Sequence, residues 1–369
     1  MQVTVNPAVL EWAARQSGLP LEAVHKSFPS YEAWVKEERR PTVAQLEAFA
    51  RKTHVPFGYL LLNEVPELSQ PRVRDFRTLG NASVDGYSRN LLDTIKQMRV
   101  RQEWLHEYKK AEDYHSVAFV GSLNQNVGPS SFVEQMFAVL QVETDWQREV
   151  HTKEEAFNFL REHVEQAGVI VFVNGIVGND THRRLSLREF RGFALADDYA
   201  PLIFINGADA PAGRLFTLVH ELVHLFLGRD GLDDGTEQFC NEIAAAFLVQ
   251  VNVFHEAWRQ HAGDFSYLEQ YFKVSRQVLF LVALRRHYIS QAEYDAALAA
   301  YQKDMKDVPK RGAGGDFYKT LPNRIGRSFS RYVFTAVREG SMLYRDAYSL
   351  LGLRGRSFQH AMKLAEGAV

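Results

Sequence analysis

Residues 216–228 read FTLVHELVHLFLG, two histidines and a glutamate set into a run otherwise fit only for burial. From Leu215 to Leu227 nearly every other position is apolar, so a helix over this stretch is greasy on almost all sides and belongs in an interior or on the wall of a narrow cleft. A carboxylate or imidazole left there without a partner costs on the order of several kcal/mol. Something must therefore satisfy His220, Glu221 and His224.

His220 and His224 are four residues apart, which stacks them on one helical face where both rings reach a single ion. Glu221 projects about 100° away, placed to address a water beside the ion rather than the ion itself. This is the H-E-x-x-H pattern of zinc metalloproteases, and the composition of the chain predicts only about 0.05 chance occurrences. Two core histidines bonded to backbone carbonyls are the plain structural alternative.

A catalytic zinc needs a third protein ligand and an open position. The segment TEQFCNEIAAAFLVQ, which follows soon after His224, offers Glu237 and Glu242. Counting about 100° per residue from Glu237, Cys240, Ala244, Phe247 and Leu248 fall within about 80° of it, whereas Glu242 falls about 140° away. Glu237 thus shares the apolar face and is the expected ligand, with Asn241 as a group able to orient it. Cys240 reads as a small packing residue rather than a ligand. Zinc on His220, His224 and Glu237, with Glu221 carrying the proton, describes peptide hydrolysis without a covalent intermediate. The strand candidates in FRGFALADDYAPLIFIN offer an edge for an extended substrate, and Arg191, Tyr199 and Asn206 are candidate oxyanion or substrate contacts.

A chain of 369 residues suggests two or three domains. The expected class is α+β multidomain: a helix-turn-helix bundle over 1–67, a linker and long helix over 68–112, a zincin-like metallopeptidase domain over 113–305, and a basic helical region over 306–369. Within the third, KEEAFNFLREHVEQAG reads as a helix, and VIVFV, REFRGFALA and PLIFIN as strands ahead of the histidine-bearing helix. The 43 Lys and Arg balance 45 Asp and Glu, so total charge selects no polyanionic partner. Met1–Gln70 carries seven basic against eight acidic residues, Lys310–Val369 eleven against four with Phe329, Tyr332, Phe334 and Tyr344 among them. DNA contact is weighed for both ends, a solvated basic surface being the bland reading of the second. The single cysteine excludes an intrachain disulfide and a multi-cysteine zinc module. With neither a signal-like start nor a run of roughly 20 apolar residues, the expectation is a cytoplasmic chain without a membrane partner.

ERRPTVAQLEAFARKTHVPFGYLL resembles the turn and core helix of Cro/XRE-type repressors. RGFALADDYAPLIFINGADAPAGRLFTLVHELVHLFLG followed by EQFCNEIAAAFLV closely resembles the ImmA/IrrE family of bacterial and phage metallo-endopeptidases, and PRVRDFRT and GRSFSRYVFTAVREGSMLYRDAYSLLG look like its longer members fused to an XRE-type domain. The resemblance implies a zinc-dependent protease acting on transcriptional repressors in mobile-element or DNA-damage responses. It puts metal ligands at His220, His224 and Glu237, with Glu221 as general base. The departures are Leu222 and Val223, where many members have a glycine before the second histidine, and FLVQ, where a proline is common. Expected partners are a repressor-like protein substrate, DNA through either end, and a second copy of the chain.

Two functions are in view. One is a cytoplasmic zinc endopeptidase that cuts regulatory proteins, the other a DNA-binding regulator or antitoxin-like protein with a structural or weakly active metal site. Glu221 favours the first, because a site needed only for folding has no use for a base beside the metal.

Overall fold

The computed structural model describes residues 2–66, 87–228, 234–261, 263–306 and 317–366, with seventeen α-helices and five strands among them. PRVRDFRT, expected as linker, lies outside the described residues.

Four short helices open the chain: α1 (Pro7–Gln16), α2 (Leu21–Ser27), α3 (Tyr31–Val35) and α4 (Val43–Thr53). They close on a core of their own that includes Leu10, Trp34, Leu46, Phe49 and Leu60. Local signals set their ends. The Asn6 side chain accepts from Ala8 N just ahead of Pro7 at the start of α1. At α4, Thr42 and Gln45 form a reciprocal capping box, and His54 in the left-handed region (φ 57°) ends the helix.

After α5 (Arg89–Ala111), α6 (Pro129–Leu140) and α7 (Lys153–Gln166) come the strands β1 (Ile170–Asn174), β2 (Ile176–Val177), β3 (Asp180–Arg184), β4 (Gly192–Leu195) and β5 (Leu202–Asn206). The main sheet has the order β1-β5-β4, with β1 parallel and β4 antiparallel to β5. IVFV and LIFI, each closed by an asparagine, read as unbroken apolar runs because helices cover both faces. Side-chain alternation then divides each strand between two cores. Val171, Val173, Ile203 and Ile205 join the core of α6, α7, α8 (Pro211–Leu227) and α9 (Asp234–Leu248). Ile170, Phe172, Leu202, Phe204, Phe193 and Leu195 face the other way, onto α5 and the C-terminal helices.

Beyond α9 the chain forms α10 (Val251–Gln260), α11 (Phe265–Phe272), α12 (Arg276–Arg285) and α13 (Gln291–Lys306), and then α14 (Phe317–Ile325), α15 (Arg327–Arg338), α16 (Tyr344–Leu351) and α17 (Gly355–Glu366). The C-terminal helices form a layer on the sheet. Phe329 and Phe334, read from sequence among aromatics on a basic surface, are buried in that layer, and Phe329 packs 5.5 Å from Phe172 of β1. Fully burying such a side chain contributes roughly 1.5–3 kcal/mol, more than a solvated position returns. Arg101 of α5 crosses the same layer: its Nε donates to Leu350 O at 2.9 Å and its guanidinium lies over Phe172 and Phe329. Burial pushes its pKa down to about 10, still a cation at neutral pH. The chain divisions at 112 and 306 remain sequence readings, and packing runs across both.

The hairpin β2–β3 has no counterpart in the sequence reading. Its second strand, DTHRR, is polar, and what holds it is distant in the chain: Arg183 donates to Asn90 and pairs with Asp93 at 2.6 Å, both on α5.

Candidate metal centre

α8 follows β5 after a short turn, starts with Pro211 at its first position and stops at Gly228, which takes φ 64° and donates to His224 O and Leu225 O. Glycine is required at 228 for a second reason: a Cβ there would collide with the Cα of Gly121. That close approach belongs to a loop that is sewn to the end of α8 by Gly121 N to Leu225 O (3.0 Å) and Leu123 N to Phe226 O (3.1 Å). The same loop sends Gln125 Nε2 to Thr236 Oγ1 at the start of α9. It thereby links the helix of the histidines to the helix of Glu237.

His220 and His224 present their Nε2 atoms to each other at 3.1 Å. Glu237 arrives from α9 with Oε2 3.3 Å from His220 Nε2 and Oε1 3.1 Å from His224 Nε2. One donor atom from each of the three lies within 4.8 Å of the others. The histidines are almost fully buried, whereas the Glu237 side chain keeps 18% of its surface exposed, so the cluster reaches solvent past the carboxylate. Glu242, the other carboxylate of the helix, is exposed and outside the cluster. Two imidazole nitrogens and a carboxylate oxygen suit zinc and several other first-row divalent ions, so the residues present fit a metal centre.

Electrostatics tie the three together. Burial raises the Glu237 pKa, but hydrogen bonds from His220 and His224 outweigh it and hold the carboxyl far below its usual range. Burial likewise lowers His224, yet its hydrogen bonds with Cys240 and Glu237 leave it well above the ordinary histidine value. Cys240 is pushed up, chiefly by burial. Its Sγ lies 3.7 Å from His224 Nδ1, on the ring edge away from the other two donors, so it is no member of the ligand cluster.

Glu221 is buried on a different side of α8, toward β4. A Cβ on Gly192 would collide with Thr217 Cγ2 and lie 2.9 Å from Phe204 O and 3.3 Å from Glu221 Oε1. Only glycine lets the strand run this close to the helix face that carries Thr217 and, one turn on, Glu221. Sequence reasoning passed over Gly192, although a lone glycine inside a strand pattern signals such an approach.

The remaining candidates lie outside the three-donor cluster. Asn206 is fully buried, donating to Phe190 O and accepting from Ala208 N. The Tyr199 ring stands edge-on to His106 on α5, 5.2 Å away. Arg191 pairs with Asp209 just ahead of α8, which leaves it near the start of β4 as a charged, partly exposed group. Asn241 is half-buried on α9, and the side chain that meets the back of His224 is its neighbour Cys240. Two clefts, of about 550 Å³ beside Tyr114, Arg327 and Tyr332 and about 680 Å³ beside His54, Phe57 and Arg183, include none of the cluster residues.

Residues 164–280 match the peptidase family model described as the IrrE N-terminal-like domain. The match runs from the end of α7 through the sheet and the histidine-bearing helix to α12, and it supports a metallopeptidase of the ImmA/IrrE type over this part of the chain. Residues 325–363, from the end of α14 into α17, match a domain of unknown function (DUF8813). No curated protein matches the chain. No described helix is long and apolar enough to cross a membrane.

Proposed function

We propose that the chain is a zinc-dependent endopeptidase that cleaves specific regulatory proteins, transcriptional repressors in a stress, DNA-damage or mobile-element response. The convergence of His220, His224 and Glu237 beside a separately placed Glu221 carries this reading. A zinc ion held by the three donors would supply Lewis-acid polarisation of the scissile carbonyl and a more acidic water. Glu221 takes the proton from the attacking water and delivers it to the leaving nitrogen, and its burial against β4 keeps the carboxylate from competing solvent. β4 orients the substrate. Asn206 N donates to Arg191 O, so the antiparallel alternation turns the backbone groups of Phe193 and Leu195 toward β5 and leaves those of Gly192 and Ala194 directed to the sheet's edge. An extended peptide added there runs past Glu221.

The test is removal of metal. Dialysis of the full chain against a chelator is expected to abolish cleavage of repressor substrates, and one equivalent of zinc to restore it. Cleavage that survives complete metal loss sinks the reading.

The four N-terminal helices, read as an XRE-type module, select the target protein. Charge favours the C-terminal layer for DNA tethering instead, where Arg338, Arg345, Arg354, Arg356 and Lys363 are exposed. Duplex binding by the full chain is expected to weaken with salt, log affinity against log salt falling by about 0.9 per phosphate contacted. Replacing Arg338, Arg354 and Arg356 by glutamine flattens that slope. A wild-type response that is already flat excludes the tether.

A further inference from the structure

α9 meets the His224 ring twice. Glu237 Oε1 lies 3.1 Å from Nε2 on one edge of the imidazole, and Cys240 Sγ lies 3.7 Å from Nδ1 on the other. The two residues are three apart on one helical face, so a single turn of α9 grips both edges of the ring. We propose that Cys240 is a positioning residue for His224, its sulfur accepting the Nδ1–H and fixing the ring with Nε2 turned to the metal. The inference rests on the reading of His220, His224 and Glu237 as a metal centre.

The chemistry of imidazole leads there. A ring whose Nε2 lone pair goes to a metal keeps its remaining proton on Nδ1 and can only donate from that atom. His224 is 3% exposed and Cys240 fully buried, so this donor finds its acceptor inside the protein rather than in water. Cys240 Sγ is the acceptor set against it. Metal-bound histidines usually have a carboxylate, a carbonyl or a water in this place. A thiol accepts more weakly than any of these, so it sets the ring's direction and tautomer while adding little to its basicity.

The sequence-level assignment of Cys240 to packing makes a competing prediction, and substitutions separate the two. Valine fills the volume of the thiol but cannot accept a hydrogen bond, whereas serine accepts but fills less space. Zinc affinity of the full chain is measured by competition with a chromophoric chelator, alongside the absorption spectrum with Co²⁺ in place of zinc and the thermal stability of the metal-free protein. Cys240→Val and Cys240→Ala are expected to weaken zinc binding about 10- to 100-fold and to change the Co²⁺ spectrum, because the ligand ring is free to turn. Cys240→Ser is expected to bind zinc more tightly than either, whatever its thermal stability. If Cys240→Val binds zinc like wild type and Cys240→Ser does not, or if all variants bind equally, the proposal is overturned. A wild-type chain that takes up no zinc overturns the metal-centre reading itself, and the two failures are told apart by that one measurement. Should Cys240→Ala fail to fold, the serine and valine pair still decides.

Discussion

Glu221→Gln is expected to keep its zinc and lose its cleavage activity, with turnover down by about 100- to 10,000-fold. The substitution is close to isosteric, so it leaves the tight approach of β4 at Gly192 undisturbed. An amide is also easier to bury than a carboxylate, and Glu221 is 2% exposed, so the fold has no reason to suffer. What the amide lacks is any capacity to take a proton from water and hand it to a leaving nitrogen. Metal uptake is preserved because the three clustered donors do not include Glu221. Metal analysis and repressor cleavage, run in parallel on wild type and variant, check both halves. A variant that binds zinc and cuts as fast as wild type removes the hydrolytic mechanism while leaving the metal centre standing.

The grouping of His220, His224 and Glu237 was legible because each of its parts is a local pattern. A four-residue spacing stacks His220 on His224, and the apolar residues of the next helix mark the face that carries Glu237. β1 and β5 were legible for a related reason, as short β-branched and aromatic runs bounded by glycine. Features that depend on how elements cross were not. Cys240 shows its spacing from Glu237 in the sequence, but its contact with His224 exists only because α9 lies along α8 at a particular angle. Tyr199 and Asn206 have residue types suited to binding substrate, yet one is turned to α5 and the other is used up by backbone groups. Phe329 looked like a surface aromatic because the strand it packs on, β1, lies far away in the chain, and Phe334 because its neighbour Phe358 comes from a later helix, α17. In the β2–β3 hairpin only the two residues of β2 are apolar, with Val177 buried, while the polar β3 is tied to α5 by the Arg183–Asp93 ion pair and hydrogen bonds to Asn90.

Glu237→Ala is expected to abolish stoichiometric zinc binding, while Glu242→Ala leaves it intact. The two carboxylates sit on one helix five residues apart, and the structure gives them opposite surroundings. Glu237 faces both histidine Nε2 atoms at 3.1–3.3 Å, whereas Glu242 is exposed. Losing a group that only orients a ligand costs about 10- to 100-fold in metal affinity, so losing a ligand itself must cost more than that. Alanine at 237 also leaves two buried imidazoles facing each other without the anion that balances them, a source of strain in the metal-free protein. Replacing Glu242 changes stability by about 0.5 kcal/mol or less, the usual range for a surface side chain. Zinc titration of both variants, with thermal unfolding of their metal-free forms, separates ligand loss from unfolding. Retention of zinc by Glu237→Ala together with its loss in Glu242→Ala would mean that the helix presents its other face to the histidines, and the whole arrangement of α8 and α9 around the site would have to be redrawn.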